Sequence, residues 1–163
     1  MATRVLCVPV LIGTLLVFLP TLVSAQTSSY RGQGYVFFGP GAASNFGNTD
    51  GTFHVGGGGE VFLYRELAGG AEIGYLAPWK TAGDGIGVFS LDGSLHFDRT
   101  AKLTPFITAG YTRAGRANGI NFGGGIEWWF RERKGLRLEF RDHRMGEATN
   151  LYYLDFRIGF EFR

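Results

Sequence analysis

The ten residues Phe89-Ser90-Leu91-Asp92-Gly93-Ser94-Leu95-His96-Phe97-Asp98 alternate in character almost without fault. Phe89, Leu91, Leu95 and Phe97 share one parity, with Gly93 between them, and Ser90, Asp92, Ser94, His96 and Asp98 share the other. Side chains of an extended chain point to opposite faces with a period of two, so this stretch predicts a strand with one apolar and one polar face. Residues 151–162 repeat the pattern, setting Leu154, Phe156, Ile158, Phe160 and Phe162 against Tyr153, Asp155, Arg157, Gly159 and Glu161. Working outward from these, the alternation predicts eight strands near 31–39, 52–64, 68–77, 86–98, 102–113, 118–130, 135–143 and 151–162. Tyr35 to Phe38 is apolar on both parities, which leaves the facing of the first strand open.

The rest of the composition narrows the class. Residues 1–25 read as a secretory signal: Arg4, an apolar run from Val5 to Val23, and the small-residue site Val23-Ser24-Ala25. The expected mature domain is therefore 26–163. The single cysteine, Cys7, lies within the signal, which removes disulfides and thiol chemistry from the mature chain. Without Arg4, 15 of the 16 Lys+Arg residues remain against 14 Asp+Glu, so no clustered basic surface for nucleic acid is indicated. Beyond the signal no apolar run is long enough for a membrane helix. The 27 glycines and frequent aromatics suit a tightly turned β protein and not long helices.

The connections supply a second signal. The odd-numbered ones, Pro40–Gly51, Pro78–Gly85, Ala114–Ala117 and Arg144–Asn150, read as loops rich in Gly and Asn. The even-numbered ones, Arg65-Glu66, Arg99-Thr100-Ala101 and Arg131 to Lys134, read as short charged turns. Long loops at one end and tight turns at the other predict an outer-membrane barrel.

Volume decides which face points outward. The large apolar side chains on the apolar parity of strands two to eight number roughly twice the ~12 that fill the interior of an eight-stranded TIM barrel. They must mostly face lipid, with the polar parity lining a lumen. The apolar parity reads as uncharged, and a single Arg or Lys there would cost roughly 2–4 kcal/mol at the bilayer midplane. The lumenal parity offers Gly56, Gly58, Gly74, Gly110, Gly123, Gly125 and Gly159, small enough for a narrow interior. Interleaved are Glu60, Glu72, Asp92, Glu127, Arg137, Glu139, Arg141, Asp155, Arg157 and Glu161. Burying so many charges is tolerable only if they satisfy one another, which predicts a salt-bridged plug, densest among Glu127, Arg137, Glu139, Arg141, Asp155 and Arg157. Phe97, Trp128 and Phe130 near the turn end, and Tyr75 and Tyr111 near the loop end, predict an aromatic girdle at each interface.

On these features the chain resembles the outer-membrane protein β-barrel domain family, the small OmpA/OmpX-like eight-stranded barrels, over nearly all of residues 30–163. The resemblance implies an all-β, up-and-down transmembrane barrel in a bacterial outer membrane. It also implies contact with outer-membrane lipid and recognition of the last strand by the barrel-assembly machinery. The family usually ends on an aromatic residue, whereas here Phe162 is penultimate and Arg163 follows.

Chemistry-bearing motifs are few. His54, His96 and His143 lie on the polar parity, as do Ser90 and Ser94, but no nucleophile motif surrounds either serine and no metal-ligand spacing joins the histidines. Gly56 to Gly59 and Gly123 to Gly125 precede no helical pattern, so neither reads as a phosphate loop. The expectation is a monomer without cofactor, metal or enzymatic activity, with a structural or surface-interaction role through segments such as Pro40 to Gly51, which contains Asn45, Phe46 and Asn48. A narrow pore and an outer-membrane lipid-modifying enzyme are the alternatives.

Overall fold

The structure is a computed structural model that describes residues 30–45, 48–146 and 151–163. The signal segment and Phe46 lie outside the described residues. Among those described, eight strands run in chain order: β1 (Gly32–Asn45), β2 (Asn48–Tyr64), β3 (Leu67–Pro78), β4 (Ile86–His96), β5 (Leu103–Ala114), β6 (Ala117–Arg131), β7 (Lys134–Met145) and β8 (Leu151–Phe162). Each pairs antiparallel with its sequence neighbours, and β1 pairs with β8 from Gly34↔Phe162 to Asn45↔Leu151, closing an up-and-down barrel.

Seven of the eight strands fall within a few residues of the alternation that predicts them. β1 and the start of β2 depart from it. The segment read as a long loop, Pro40 to Gly51, is mostly strand, with Pro40↔Phe53, Gly41↔Thr52 and Ala42↔Gly51 in register. Glycines and small polar residues weaken intrinsic strand preference, but a ladder flanked on both sides supplies the backbone bonds that hold them extended. The expected contrast between long loops and short turns is thereby lost. The connections at 79–85 and 97–102, on opposite ends, are of similar length.

The outward face is apolar along every strand. Leu63 is 71% exposed, Ile73 67% and Ile107 53%, alongside Leu91, Phe122, Leu138, Phe156 and Phe160. In water such a belt would be an aggregation surface; against hydrocarbon it is the solvent-matched face. The belt is not wholly free of charge. Arg113 and Asp142 share the outward parity near the loop end, and Arg144 Nε donates to Asp142 Oδ2 at 3.0 Å. Both lie within three or four residues of a strand end, where the depth-dependent cost of charge is small.

Strand one resolves its own ambiguity. Gln33, Tyr35 and Phe37 are buried inside the barrel, while Val36 and Phe38 face out. The inward rings lie beneath cations: Arg137 Cζ is 4.5 Å from the Tyr35 ring centroid, and Arg157 Cζ is 4.3 Å from that of Phe37. Both parities read as apolar because one packs on lipid and the other on guanidinium faces. The Gly56–Gly59 run makes room for these rings. A Cβ on Gly56 would lie 2.8 Å from Phe37 Cζ, and one on Gly58 2.8 Å from Tyr35 Oη.

Ile107→Arg, a cation near the middle of the belt, should therefore lower the stability of the lipid-inserted barrel by roughly 2–4 kcal/mol. Reversible denaturant unfolding in vesicles measures it, with Thr108→Arg, aimed inward, unable to mimic the same depth dependence along the wall.

Candidate functional site

The lumen is built in layers. At the turn end Arg99 and Arg163 close it. Arg99 Nη1 donates to the Arg65 carbonyl at 2.8 Å and Nη2 to that of Tyr30, and its Cζ lies 3.3 Å from the Phe62 ring centroid. Arg163 Nε donates to the Glu132 carbonyl at 3.0 Å, Nη1 to that of Arg99 at 3.4 Å, and its Cζ sits 4.0 Å from the Trp129 ring. Two guanidinium groups thus lace together the three turn-end connections and the approach to β1.

Above this cap, three strands send carboxylates to one nitrogen. Arg137 Nη1 donates to Glu161 Oε1 (3.0 Å), Glu60 Oε1 (3.1 Å) and Glu127 Oε1 (3.4 Å), while its Nε reaches Glu139 Oε2 at 2.9 Å. Gln33 Nε2 bridges Glu60 Oε1 (2.8 Å) and Glu127 Oε1 (2.7 Å). His96 lies between the same two acids, Nε2 3.1 Å from Glu60 Oε2 and Nδ1 3.1 Å from Glu127 Oε1, the second outside hydrogen-bond alignment.

The middle layer links Arg141 to Glu139 and to Asp92 Oδ2 at 2.9 Å, and Arg157 Nη1 to Glu72 Oε2 at 2.9 Å. Asn121 Nδ2 donates to Asp92 Oδ1 and Thr112 Oγ1, both at 2.7 Å. Higher still, Arg157 Nη2 lies 3.0 Å from His54 Nδ1 and donates to His143 Nε2 at 3.1 Å. His143 must then carry its proton on Nδ1, which faces Thr112 Oγ1 at 3.2 Å. Its ring stacks on Tyr153 at 4.0 Å. At the loop end the lumen turns apolar, with Leu76, Val88, Ala114, Met145 and Tyr153 packed together and against Ala43 and Ile86.

The predicted lumenal charges all point inward. Glu60, Glu72, Glu127, Arg137, Glu139, Arg141, Asp155, Arg157 and Glu161 are buried and Asp92 is half-buried. The dense set on β6 to β8 is joined by Glu60, Glu72 and Asp92 from the facing wall, which neighbouring-strand reasoning does not reach. Of the aromatic set, Tyr75, Tyr111, Trp128 and Phe130 are exposed on the outside and Phe97 is half-buried. Tyr75 Oη donates to the Ala82 carbonyl at 2.8 Å, and Tyr111 Oη to Asn118 Oδ1 at 2.7 Å. Sequence reasoning misses a second loop-end aromatic group, Phe38, Phe53 and Trp79, with Phe53 and Trp79 centroids 5.0 Å apart. It also misses the cap and the inward rings. Their trace in the sequence is aromatic residues on the polar parity, Phe106, Trp129 and Tyr153, each beside an arginine or histidine.

Two groupings carry metal-type donors, His54/His143/Asp155 and Glu60/His96/Glu127. A guanidinium already lies among each: Arg157 against both histidines, Arg137 against both glutamates. A serine–histidine–glutamate order is present too, with His96 Nε2 3.1 Å from Ser94 Oγ and Glu127 beyond Nδ1. Ser94 Oγ, however, donates to Glu60 in a short contact, and all of these groups are buried in the lumen behind the cap. A general base needs a nitrogen free to accept the serine proton and a path for substrate, and His96 faces acids at both nitrogens.

Formal charge is divided by height. Among the described residues the lumen holds seven carboxylates and three guanidinium groups. The loop end is nearly balanced, Lys80, Arg113, Arg116 and Arg144 against Asp50, Asp84 and Asp142. The turn end is strongly basic: Arg31, Arg65, Arg99, Lys102, Arg131, Arg133, Lys134 and Arg163 against Glu66, Asp98 and Glu132.

A closed eight-stranded barrel with an apolar exterior and an ion-paired interior defines a small transmembrane β-barrel. Solved structures agree on the fold. Neisserial surface protein A superimposes with a TM-score of 0.67 at 14% identity, covering 80% of this chain and 96% of that one. The N-terminal β-barrel domain of Pseudomonas aeruginosa OprF gives 0.54 at 20% identity, covering 81% and 100%. Ail, the attachment invasion locus protein of Yersinia pestis, gives 0.52 at 9% identity, covering 82% and 100%. No family model and no curated protein matches the sequence.

Arg137→Ala leaves three converging carboxylates without their shared cation and should destabilise the folded barrel by about 3–5 kcal/mol. Arg144→Ala, which breaks an exposed pair, should cost no more than about 1 kcal/mol. Urea midpoints of the two variants in the same detergent separate these outcomes.

Proposed function

We propose that this chain is a monomeric bacterial outer-membrane barrel with a structural role in the envelope, its turn end toward the periplasm and its lumen closed to solutes. The observation that carries this reading is how the described residues fill the lumen from end to end: an arginine–aromatic cap, an ion-paired core and an apolar group at the loop end. Eight strands enclose a space that side chains can fill, and here the filling side chains are tied to both walls. A conducting path would require several buried ion pairs to separate together, with each parted charge left unsolvated. The outward row Leu154, Phe156, Ile158, Phe160 and Phe162 on β8 is the segment offered to the assembly machinery. Surface contacts fall to the β1–β2 hairpin and to residues 79–85.

In planar bilayers the refolded protein should be silent under applied voltage. Discrete ohmic openings would replace the closed-barrel reading with that of a narrow pore.

Among the described residues, the Ser94–His96–Glu127 order is the feature that favours a lipid-modifying enzyme. Expression of the protein should leave the lipid A and phospholipid profiles of the host unchanged by mass spectrometry. A new acyl-chain pattern lost in Ser94→Ala would establish the enzyme instead.

A further inference from the structure

A β-bulge at the turn end changes which side chains reach the outer wall. Between β6 and β7 the register shifts between Trp129 and Arg131: Trp128 pairs with Leu136, Trp129 with Gly135, and then Arg131 with Lys134. Directly paired residues of an antiparallel ladder share a face. Lys134 pairs in turn with Phe162, which is 52% exposed to the outside. The bulge therefore turns Arg131 from the inward course of Trp129 to the outward one, beside Lys134 and on the turn-end side of Trp128 and Phe130. Without the extra residue, Arg131 would continue the inward parity and crowd the cap. Re-aiming a side chain at a barrel rim is a recognised use of a bulge.

The two cations stand at the edge of the apolar belt and not beyond it. Trp128 and Phe130 contact each other at 6.3 Å between centroids, and Phe130 contacts Phe160 at 6.2 Å, so an aromatic group lies on the belt side of the two cations. Arg131 and Lys134 are exposed, as is Arg133 in the turn. On the membrane-spanning reading, cations at the edge of an apolar, aromatic-rich belt stand at the level of lipid headgroup phosphates. The wider surroundings reinforce it, since the turn end carries the large excess of cations described above while the loop end is nearly neutral.

We propose that Arg131 and Lys134, backed by Trp128, Phe130 and Phe162, form a binding site for the phosphate of an anionic phospholipid in the leaflet at the turn end. The inference rests on the membrane-spanning reading above. The aromatic rings lie against the acyl-chain boundary, and the guanidinium and ammonium groups clamp the phosphate oxygens from adjacent strands. Zwitterionic lipid offers the same phosphate with a compensating cation, so selectivity for net negative headgroups is the signature.

The experiment refolds the barrel into vesicles of phosphatidylcholine alone and of phosphatidylcholine with phosphatidylglycerol. Heat-modifiable migration and protease protection in the first vesicle report insertion, and their failure there would count against the membrane-spanning reading itself. Native mass spectrometry of protein released from the mixed vesicles then counts retained lipid. Wild type should retain phosphatidylglycerol in preference to phosphatidylcholine. Arg131→Gln and Lys134→Gln should each reduce that preference roughly five-fold, the factor that corresponds to ~1 kcal/mol per cation near a membrane surface. Lys80→Gln, at the loop end, should leave it unchanged. Equal retention of the two lipids by inserted wild type overturns the proposal, as does a preference that survives both substitutions together. Saturable binding of inorganic phosphate alone by the detergent-folded protein, with no lipid preference, assigns the cations to free phosphate and also overturns it. If the variants do not fold, wild type decides: at about 1 M salt, where the Debye length falls to about 3 Å, a preference of this origin should collapse, and one that persists excludes it.

Discussion

In hydrocarbon an unpaired backbone N–H or C=O has no water to turn to, and each one left open costs several kcal/mol. The seam between β1 and β8 is where that constraint is met. Its ladder, from Gly34↔Phe162 to Asn45↔Leu151, removes the last two free edges of the sheet. Everything else follows from closure. Once the sheet returns on itself there are only two sides, lipid and lumen, and every side chain must suit one of them. Small residues such as Gly41 and Ala42 stay extended because the seam holds them from both sides.

Closure with eight strands also makes the interior narrow, and a narrow interior cannot hydrate its charges. Ten carboxylate and guanidinium side chains point into it, and they are tolerated because they share partners across the whole width. Arg137, Arg141 and Arg157 rise up the same wall and reach acids on β2, β3, β4, β6, β7 and β8. Aromatic rings complete the arrangement by covering the guanidinium faces that hydrogen bonds leave bare: Phe106 and Tyr35 for Arg137, Phe37 for Arg157. Seven carboxylates still outnumber three guanidinium groups, and His96 stands between two of the acids, Glu60 and Glu127. Outside the lumen, the basic turn end and the nearly neutral loop end divide the remaining charge, so a net charge close to zero hides a polarised molecule.

Much of this was legible in the residues. Alternation located seven strands within a few positions, because a two-sided wall leaves a period-two trace wherever one side is lipid. The inward set of charges was legible for the same reason. Pro40 to Gly51 misled, since its glycines and asparagine resemble a loop and nothing local announces two flanking ladders. Tyr35 and Phe37 were unreadable as to side, because an aromatic ring suits lipid and a buried cation equally well. The roles of Arg99 and Arg163 were hidden too, as each is an ordinary turn-end arginine until the turns it bridges are brought together.

The sequence by itself determined the class of wall: eight alternating segments with more apolar volume on one parity than any eight-stranded interior can hold, and acids, arginines and small residues on the other. That much is a matter of period and volume, which are local. Only the tertiary structure decided how the charges pair across the lumen, that Ser94, His96 and Glu127 meet behind a closed cap, and that a bulge turns Arg131 onto the lipid-facing rim. Those are facts of register and of distance between strands far apart in the chain, and register is set by the closing of the whole sheet and not by any one segment of it.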